Sequence, residues 1–353
     1  MLEISDNQNI YSAIEKALES KSKFFAYRLP DTKIIEFGVE GLVQKSEEYF
    51  LIHPFIVSSS VPEIRIRRDY NAVEYLVSKE ATEECGDSDI DDMIAVSKEQ
   101  YLHQVNHIVD AIRRGVYKKV VLSYPIYERI EMRAGTIIKS LKKLVEENPH
   151  AFVFIYNSRE SGMWMGASPE NFLSFEHHNI TTMALAGTRK CADDVLAEWG
   201  DKEKEEQDIV SQYIRNVLEN YELDIRSEGP YTLRAGYVEH ICTRFRAFVD
   251  DSKIKGILND LHPTPALAGV PAKEAVALID KIEYHKRKYY GGYLGPVSSN
   301  GDFKFYVNLR SMNFDKLHQC LFVGGGITAD SIPEDEWAEL LEKSKTLKKI
   351  LEV

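Results

Sequence analysis

The sequence predicts an α+β fold carried by one large domain, and three observations lead there. Strand patterns come in consecutive groups, as in AFVFIYN followed by MWMGASP and the strands after it. Helical patterns lie between those groups instead of alternating with single strands, so the β-α-β rhythm of a parallel sheet is absent. No Gly/Ser/Pro-rich linker divides the 353 residues, which suffice for one large core or two ordinary ones.

Taken in order, IYSAIEKALES has helical periodicity. FFAYRLP, KIIEFGV, YFLIHPFI and EIRIRR then read as short strands broken by Pro, Gly and Asp. They suggest an antiparallel half-sheet, and no chemical constellation stands out before residue 97. SKEATEECGDSDIDDM is polar and acidic and reads as a solvated loop. From Ser97, apolar residues at Tyr101, Val105, Ile108, Val109 and Ile112 form a helical stripe that stops at Gly115. VYKKVVLSYPIYERI is a strand, and TIIKSLKKLVEENP is a helix halted by Pro149. Strands joined by Gly, Pro and His-His-Asn turns run to residue 190. DKEKEEQDIVSQYIRNVLENY is a long helix. More strands follow at 231–249, two helices at SKIKGILNDLHP and PAKEAVALIDKIE, two or three strands at 289–327, and a closing helix at DEWAELLEKSKTLKKIL.

The net charge is −12 with no basic run, which argues against a nucleic-acid partner. Cys85, Cys191, Cys242 and Cys320 are scattered and form no CxxC, so neither zinc ligation nor a disulfide framework is expected. The polar, acidic N-terminus is unlike a signal peptide, and no apolar run is long enough to span a bilayer. These features predict a cytoplasmic protein without a membrane partner.

Chemistry concentrates between Leu261 and Lys343. There LHPTPALAG, RKYYGGYLGP, FYVNLRSM, the three-glycine turn of LFVGGGIT and EDEWAELLEKSK follow at short spacing. Glu336 and Glu339 stand at i and i+3 on one helix face, with Lys343 four further on. A glycine turn can offer bare N–H groups to an anion. Arg310 ends an apolar strand and suits bidentate carboxylate binding, or it is an exposed strand end. Lys119 shares a strand face with Val121 and Ser123. It is either an exposed lysine or, if desolvated, a base near neutrality. Glu170 follows Ser-Pro in a turn and is either a turn carboxylate or, if buried, a general acid. Gly187 and Thr188 in ALAGTRK allow close backbone approach, as an ordinary turn also would. Glu203, Glu205 and Glu206 crowd a helix start, where acidic residues are favoured anyway. Glu206 precedes the apolar stripe, so it can face inward and require a cation such as Mg²⁺. His240 and His262 read as core histidines or polar contacts.

In this order the motifs KVVLS, GASPE, ALAGT, the glutamate-rich helix start, HPTPALAG, YYGGYLG, VNLRS, GGGIT and SxPEDEWxExxxK resemble the chorismate-utilising enzymes. The resemblance covers residues 97–353, and residues 1–96 would be the variable part of one domain spanning 1–353. It implies two facing antiparallel sheets with helices outside and a site between them. Lys119 is where amine-using members usually carry glutamine. Ala186 is where aminodeoxychorismate synthases often place a reactive lysine, and Ala266-Leu267 is similar to isochorismate synthases of the menaquinone or siderophore type. Salicylate-, anthranilate- and aminodeoxychorismate-forming members are the alternatives, as is a non-catalytic chorismate-binding protein.

The resemblance further implies an isomerase that converts chorismate reversibly to isochorismate with Mg²⁺. In it Lys119 activates water and Glu170 protonates the leaving hydroxyl. Glu206 (or the adjacent Glu205), Glu336 and Glu339 hold the metal. Arg310, Tyr290 and the N–H groups of Gly325 and Gly326 bind a carboxylate. Gly187, Thr188, His240, Ala266 and Lys343 line the site, with Leu185 as a packing neighbour. No amidotransferase subunit is expected, and the chain would be a monomer or homodimer. The usual Glu-His is Glu206-Gln207 here, and the arginine usual after KVVLS is Tyr124.

Overall fold

The computed structural model describes residues 2–86, 90, 94–190, 198–235 and 238–351. Cys191 lies outside them, as does part of the acidic stretch after Cys85. In chain order, α1 (Leu2–Glu19) is followed by β1 (Phe24–Arg28), β2 (Ile35–Val39), β3 (Tyr49–His53), β4 (Ile64–Arg67) and α2 (Ala72–Val77). Next come α3 (Lys98–Arg113), β5 (Lys119–Arg129), α4 (Ala134–Glu147), β6 (Phe152–Ser158), β7 (Gly162–Ser168), β8 (Asn171–Glu176) and β9 (Asn179–Lys190). Then α5 (Asp201–Asn220) precedes β10 (Arg226–Ala235), β11 (Val238–Phe248), α6 (Asp251–Leu261), β12 (Gly269–Val270) and α7 (Ala272–Ile282). The chain closes with β13 (Tyr293–Val297), β14 (Phe303–Val307), β15 (Ser311–Phe314), β16 (His318–Ile327) and α8 (Pro333–Leu351).

The strands form two sheets of eight. One runs β12-β5-β16-β15-β7-β6-β1-β2, the other β10-β11-β9-β8-β14-β13-β3-β4. All their pairings are antiparallel. The N-terminal hairpins β1–β2 and β3–β4 each extend the edge of a different sheet, so the half-sheet expected there is two edges. Aromatic side chains join the inner faces. Phe25 stacks on Phe50 at 5.0 Å and Phe152 on Tyr306 at 4.2 Å between ring centroids. Such contacts add to the burial term, which is worth roughly 1.5–3 kcal/mol for a fully buried large side chain.

Helix α3 illustrates how local sequence sets an element. The Ser97 side chain accepts from Gln100 N, while Gln100 Oε1 accepts from Ser97 N at 2.8 Å. This reciprocal cap meets two otherwise orphan N–H groups. The predicted stripe of Tyr101, Val105, Ile108, Val109 and Ile112 is buried. Among the described residues, no helix is long and apolar enough to cross a membrane.

Candidate active site

The pairing of β5 with β16 builds the floor of the site. Val121, Leu122 and Ser123 lie opposite Gly326, Gly325 and Gly324. Strand alternation then turns Lys119, Val121 and Ser123 into one cavity and buries Val120 and Leu122 on the other face. The cavity holds about 260 Å³, and its lining also comes from β9 and β11 of the second sheet. It therefore opens between the two sheets. The three glycines are strand rather than the turn expected from sequence. Pairing of β15 with β16 reaches only Leu321, so beyond it one edge of β16 carries polar backbone groups without a strand partner. Lys343 uses one of them, donating to the Gly324 carbonyl at 3.1 Å.

The glycines are needed for close approach. A Cβ on Gly326 would stand 2.5 Å from Lys119 Cε, and one on Gly325 would stand 3.3 Å from Glu336 Oε2. Lys119 is 5% exposed, and its Nζ lies 3.6 Å from Glu206 Oε2. Burial lowers its pKa, Glu206 opposes that, and Lys343 adds to it. Glu170 occupies the β7–β8 turn at 4% exposure. Burial alone pushes its carboxyl up to about 8, so it is protonated at neutral pH, as a general acid must be.

Opposite, Gly187 is a bulge residue within β9, not part of a turn. Pairing shifts between His240 and Ile241, and Gly187 has φ +68. A Cβ there would meet Glu203 at 3.0 Å. Glycine thus lets α5 close onto β9 and brings Glu206, one turn further on, toward Lys119. His240 on β11 receives Arg310 Nη2 at Nε2 over 2.9 Å. A guanidinium can only donate, so the ring proton sits on Nδ1. That proton faces the Gly187 carbonyl at 3.2 Å and the Thr188 hydroxyl at 3.1 Å. Burial first, then Arg310, push the His240 pKa down to about 3, so the imidazole is neutral.

Arg310 follows β14 by three residues instead of ending it, in the left-handed region at φ 49. Strain of that kind in a non-glycine residue is typical of functional positions. Burial lowers its pKa to about 10, so it stays charged. Tyr290 stacks on Phe322 at 4.9 Å and, like Ala266, lines the cavity. His262 lies away from it, at hydrogen-bond distance from the carbonyls of Pro54 and Phe55.

The three carboxylates expected to hold a metal have protein partners here. Glu206 faces Lys119, Glu339 Oε1 lies 2.7 Å from Lys343 Nζ, and Glu336 Oε1 accepts from the Ser331 hydroxyl at 2.6 Å. Among the described residues, no three His, Cys, Asp or Glu side chains form a ready-made metal cluster. The donor set nevertheless suits a hard cation. It is all oxygen, and the Glu336 pKa is raised by burial and by the charge of Glu339, a repulsion that a divalent ion relieves.

Two features escaped the sequence reading. Lys202, in the first turn of α5, bears electrostatically on Lys119, Glu336 and Glu339. Only its place beside Glu203 could have signalled it. Behind Ser123 lies a buried network. Glu283 pairs with Arg287 at 2.6 Å, Ser123 donates N–H and O–H to Glu283, and His285 Nε2 contacts the Ser123 hydroxyl at 2.8 Å. An i, i+4 Glu–Arg pair usually reads as a solvated helix face, so its burial was not visible.

Residues 39–352 match the family described as chorismate binding enzyme. The chain belongs to that family. It is 28% identical over 271 residues to the vibriobactin-specific isochorismate synthase of Vibrio cholerae, covering 71% of this chain and 66% of that relative. It is 31% identical over 243 residues to isochorismate synthase EntC of Escherichia coli K12, covering 65% and 61%. The match thus spans just under two thirds of these relatives. Among solved structures, MenF, the menaquinone-specific isochorismate synthase of Escherichia coli, superposes with a TM-score of 0.80 at 20% identity, over 96% of this chain and 91% of MenF. Anthranilate synthase component I of Streptococcus pneumoniae superposes at 0.68 and 16% identity, over 92% and 90%. At these identities the structural likeness establishes the fold. In this member of the family the motifs that carried the resemblance gather around one cavity.

Proposed function

We propose that this chain is an Mg²⁺-dependent isochorismate synthase, an isomerase acting reversibly on chorismate. The observation that carries the reading is the pairing of a desolvated lysine and a protonated glutamate in one cavity. Lys119 has the lowered pKa of a base, and Glu170 the raised pKa of an acid. Lys119 takes a proton from water as the oxygen bonds to C2. The ring double bond shifts, the C4–O bond breaks, and Glu170 protonates the departing hydroxyl, which leaves as water. Arg310, oriented by His240, and Tyr290 bind a substrate carboxylate together with Gly325 and Gly326, and Thr188 and Lys343 border the same space. Glu206, Glu336 and Glu339 would hold Mg²⁺, which neutralises a substrate carboxylate when bound.

A lysine at position 119 supports activation of water over ammonia, so no amidotransferase partner is part of the reading. The scattered cysteines, free and buried at 85, 242 and 320, support a cytoplasmic setting. The test is chromatography of chorismate incubated with the protein, with and without Mg²⁺ and ammonium. Isochorismate that needs Mg²⁺ and not ammonium is expected. Salicylate with pyruvate, or an aminated product, would replace this reading with the corresponding family reaction. Saturable binding without turnover would make the chain a binding protein.

A further inference from the structure

Tyr101 is fully buried, yet among the described residues its hydroxyl makes no hydrogen bond. A buried hydroxyl without a partner has given up its bonds to water with nothing in return, so its place calls for an acceptor. Three carboxylates act on it electrostatically, Glu336 most strongly, then Glu339 and Glu283. Glu283 already accepts from Arg287 and Ser123, and Glu339 is held by Lys343. Glu336 has Ser331 on Oε1. Its Oε2 and the Tyr101 hydroxyl flank Gly325, at 3.3 Å and 3.9 Å from where a Cβ on that glycine would stand.

The ring of Tyr101 is fixed from two sides. It meets Tyr124 edge-on at 5.6 Å and Trp337 at 5.6 Å, and Tyr124 meets Trp337 edge-on at 5.3 Å. The Tyr124 hydroxyl is anchored on the Val96 carbonyl at 2.7 Å. Trp337 directly follows Glu336, so this aromatic trio sets the rotation of α8 about its axis and with it the aim of the carboxylate. Tyr124 is also the position where this chain lacks the arginine usual in its motif.

We infer that Tyr101 is a positioning residue for Glu336, its hydroxyl donating to Oε2 when the carboxylate turns to hold a cation, while Ser331 keeps Oε1. This deepens the proposed function, because it takes Glu336 as a metal ligand. Partners behind a ligand typically change metal affinity 10–100-fold when removed.

The test uses Mn²⁺ as the probe, titrated calorimetrically into the full chain as wild type, Tyr101→Phe, Glu336→Gln and the double variant. Phenylalanine keeps the ring and its packing. Tyr101→Phe is expected to bind Mn²⁺ about tenfold more weakly, with an unchanged or higher Tm of the metal-free protein. In the Glu336→Gln background the same replacement is expected to change affinity little. Equal Mn²⁺ affinity in Tyr101→Phe and wild type, no Mn²⁺ binding by wild type, or a lowered metal-free Tm that accounts for the loss would each overturn the inference. Isochorismate formation is scored separately on wild type. Weakened Mn²⁺ binding without turnover sinks the proposed function and keeps the role of Tyr101. Turnover with unaltered Mn²⁺ binding in Tyr101→Phe does the reverse.

Discussion

Arg310 and His240 are joined by a bond with only one possible sense: the guanidinium donates at 2.9 Å and the imidazole accepts. The imidazole is thereby held neutral with its proton on Nδ1, and it aims the arginine into the cavity. A hydrogen bond to a charged group is worth about 1.5–3 kcal/mol, or roughly 10–100-fold in an equilibrium constant. His240→Ala is therefore expected to raise KM for chorismate at least tenfold, with a smaller change in kcat. Steady-state kinetics checks this, and a loss confined to kcat would show that His240 does not act through carboxylate binding.

Lys119 lies over Gly326 with no room between them. Gly326→Ala should push the lysine aside and reduce kcat by about 100-fold, within the range that general base catalysis contributes. Lys119→Ala should abolish turnover while chorismate affinity, measured calorimetrically, stays near wild type. Activity retained in Lys119→Ala would mean that another group is the base.

Glu170 must be protonated to act as an acid, and burial holds its pKa near 8 in the folded protein. Activity should therefore persist below that value and fall as pH rises through about 8. The linkage to stability has the same direction. The folded state keeps a proton that the unfolded chain releases above its ordinary value of 4.5. This contribution is thus greatest below pH 4.5 and is lost as pH rises toward 8. Glu170→Gln should remove the alkaline limb together with most of the rate. An alkaline limb in residual activity identical to wild type would assign it to another group.

Glu283 balances the charge of Arg287, a buried residue of the cavity wall. Glu283→Gln leaves a buried guanidinium without its counter-charge, which typically costs about 3–5 kcal/mol. Urea unfolding should show a loss of that size. A change below about 1 kcal/mol would mean that the carbonyls of Leu267 and Val121, to which Arg287 also donates, are sufficient.

The α+β class, the α3 stripe from Tyr101 to Ile112 and the shared face of Lys119, Val121 and Ser123 follow from periodicity, because burial repeats every 3.6 residues in a helix and every two in a strand. The family could be read from motif order, and with it part of the cavity lining, though not Arg287, Leu309 or Phe322. Tertiary structure alone decided three other matters. The three glycines are a strand, since their pairing with β5 depends on residues some 200 positions away. Lys119 is desolvated and Glu170 protonated, since burial belongs to the assembled sheets and not to either motif. Trp337 of α8 meets Tyr101 of α3, and Glu206 of α5 meets Lys119 of β5, because elements distant in sequence are packed together. Sequence names the groups available for chemistry, whereas the low-dielectric enclosure that sets their protonation and partners exists only in the fold.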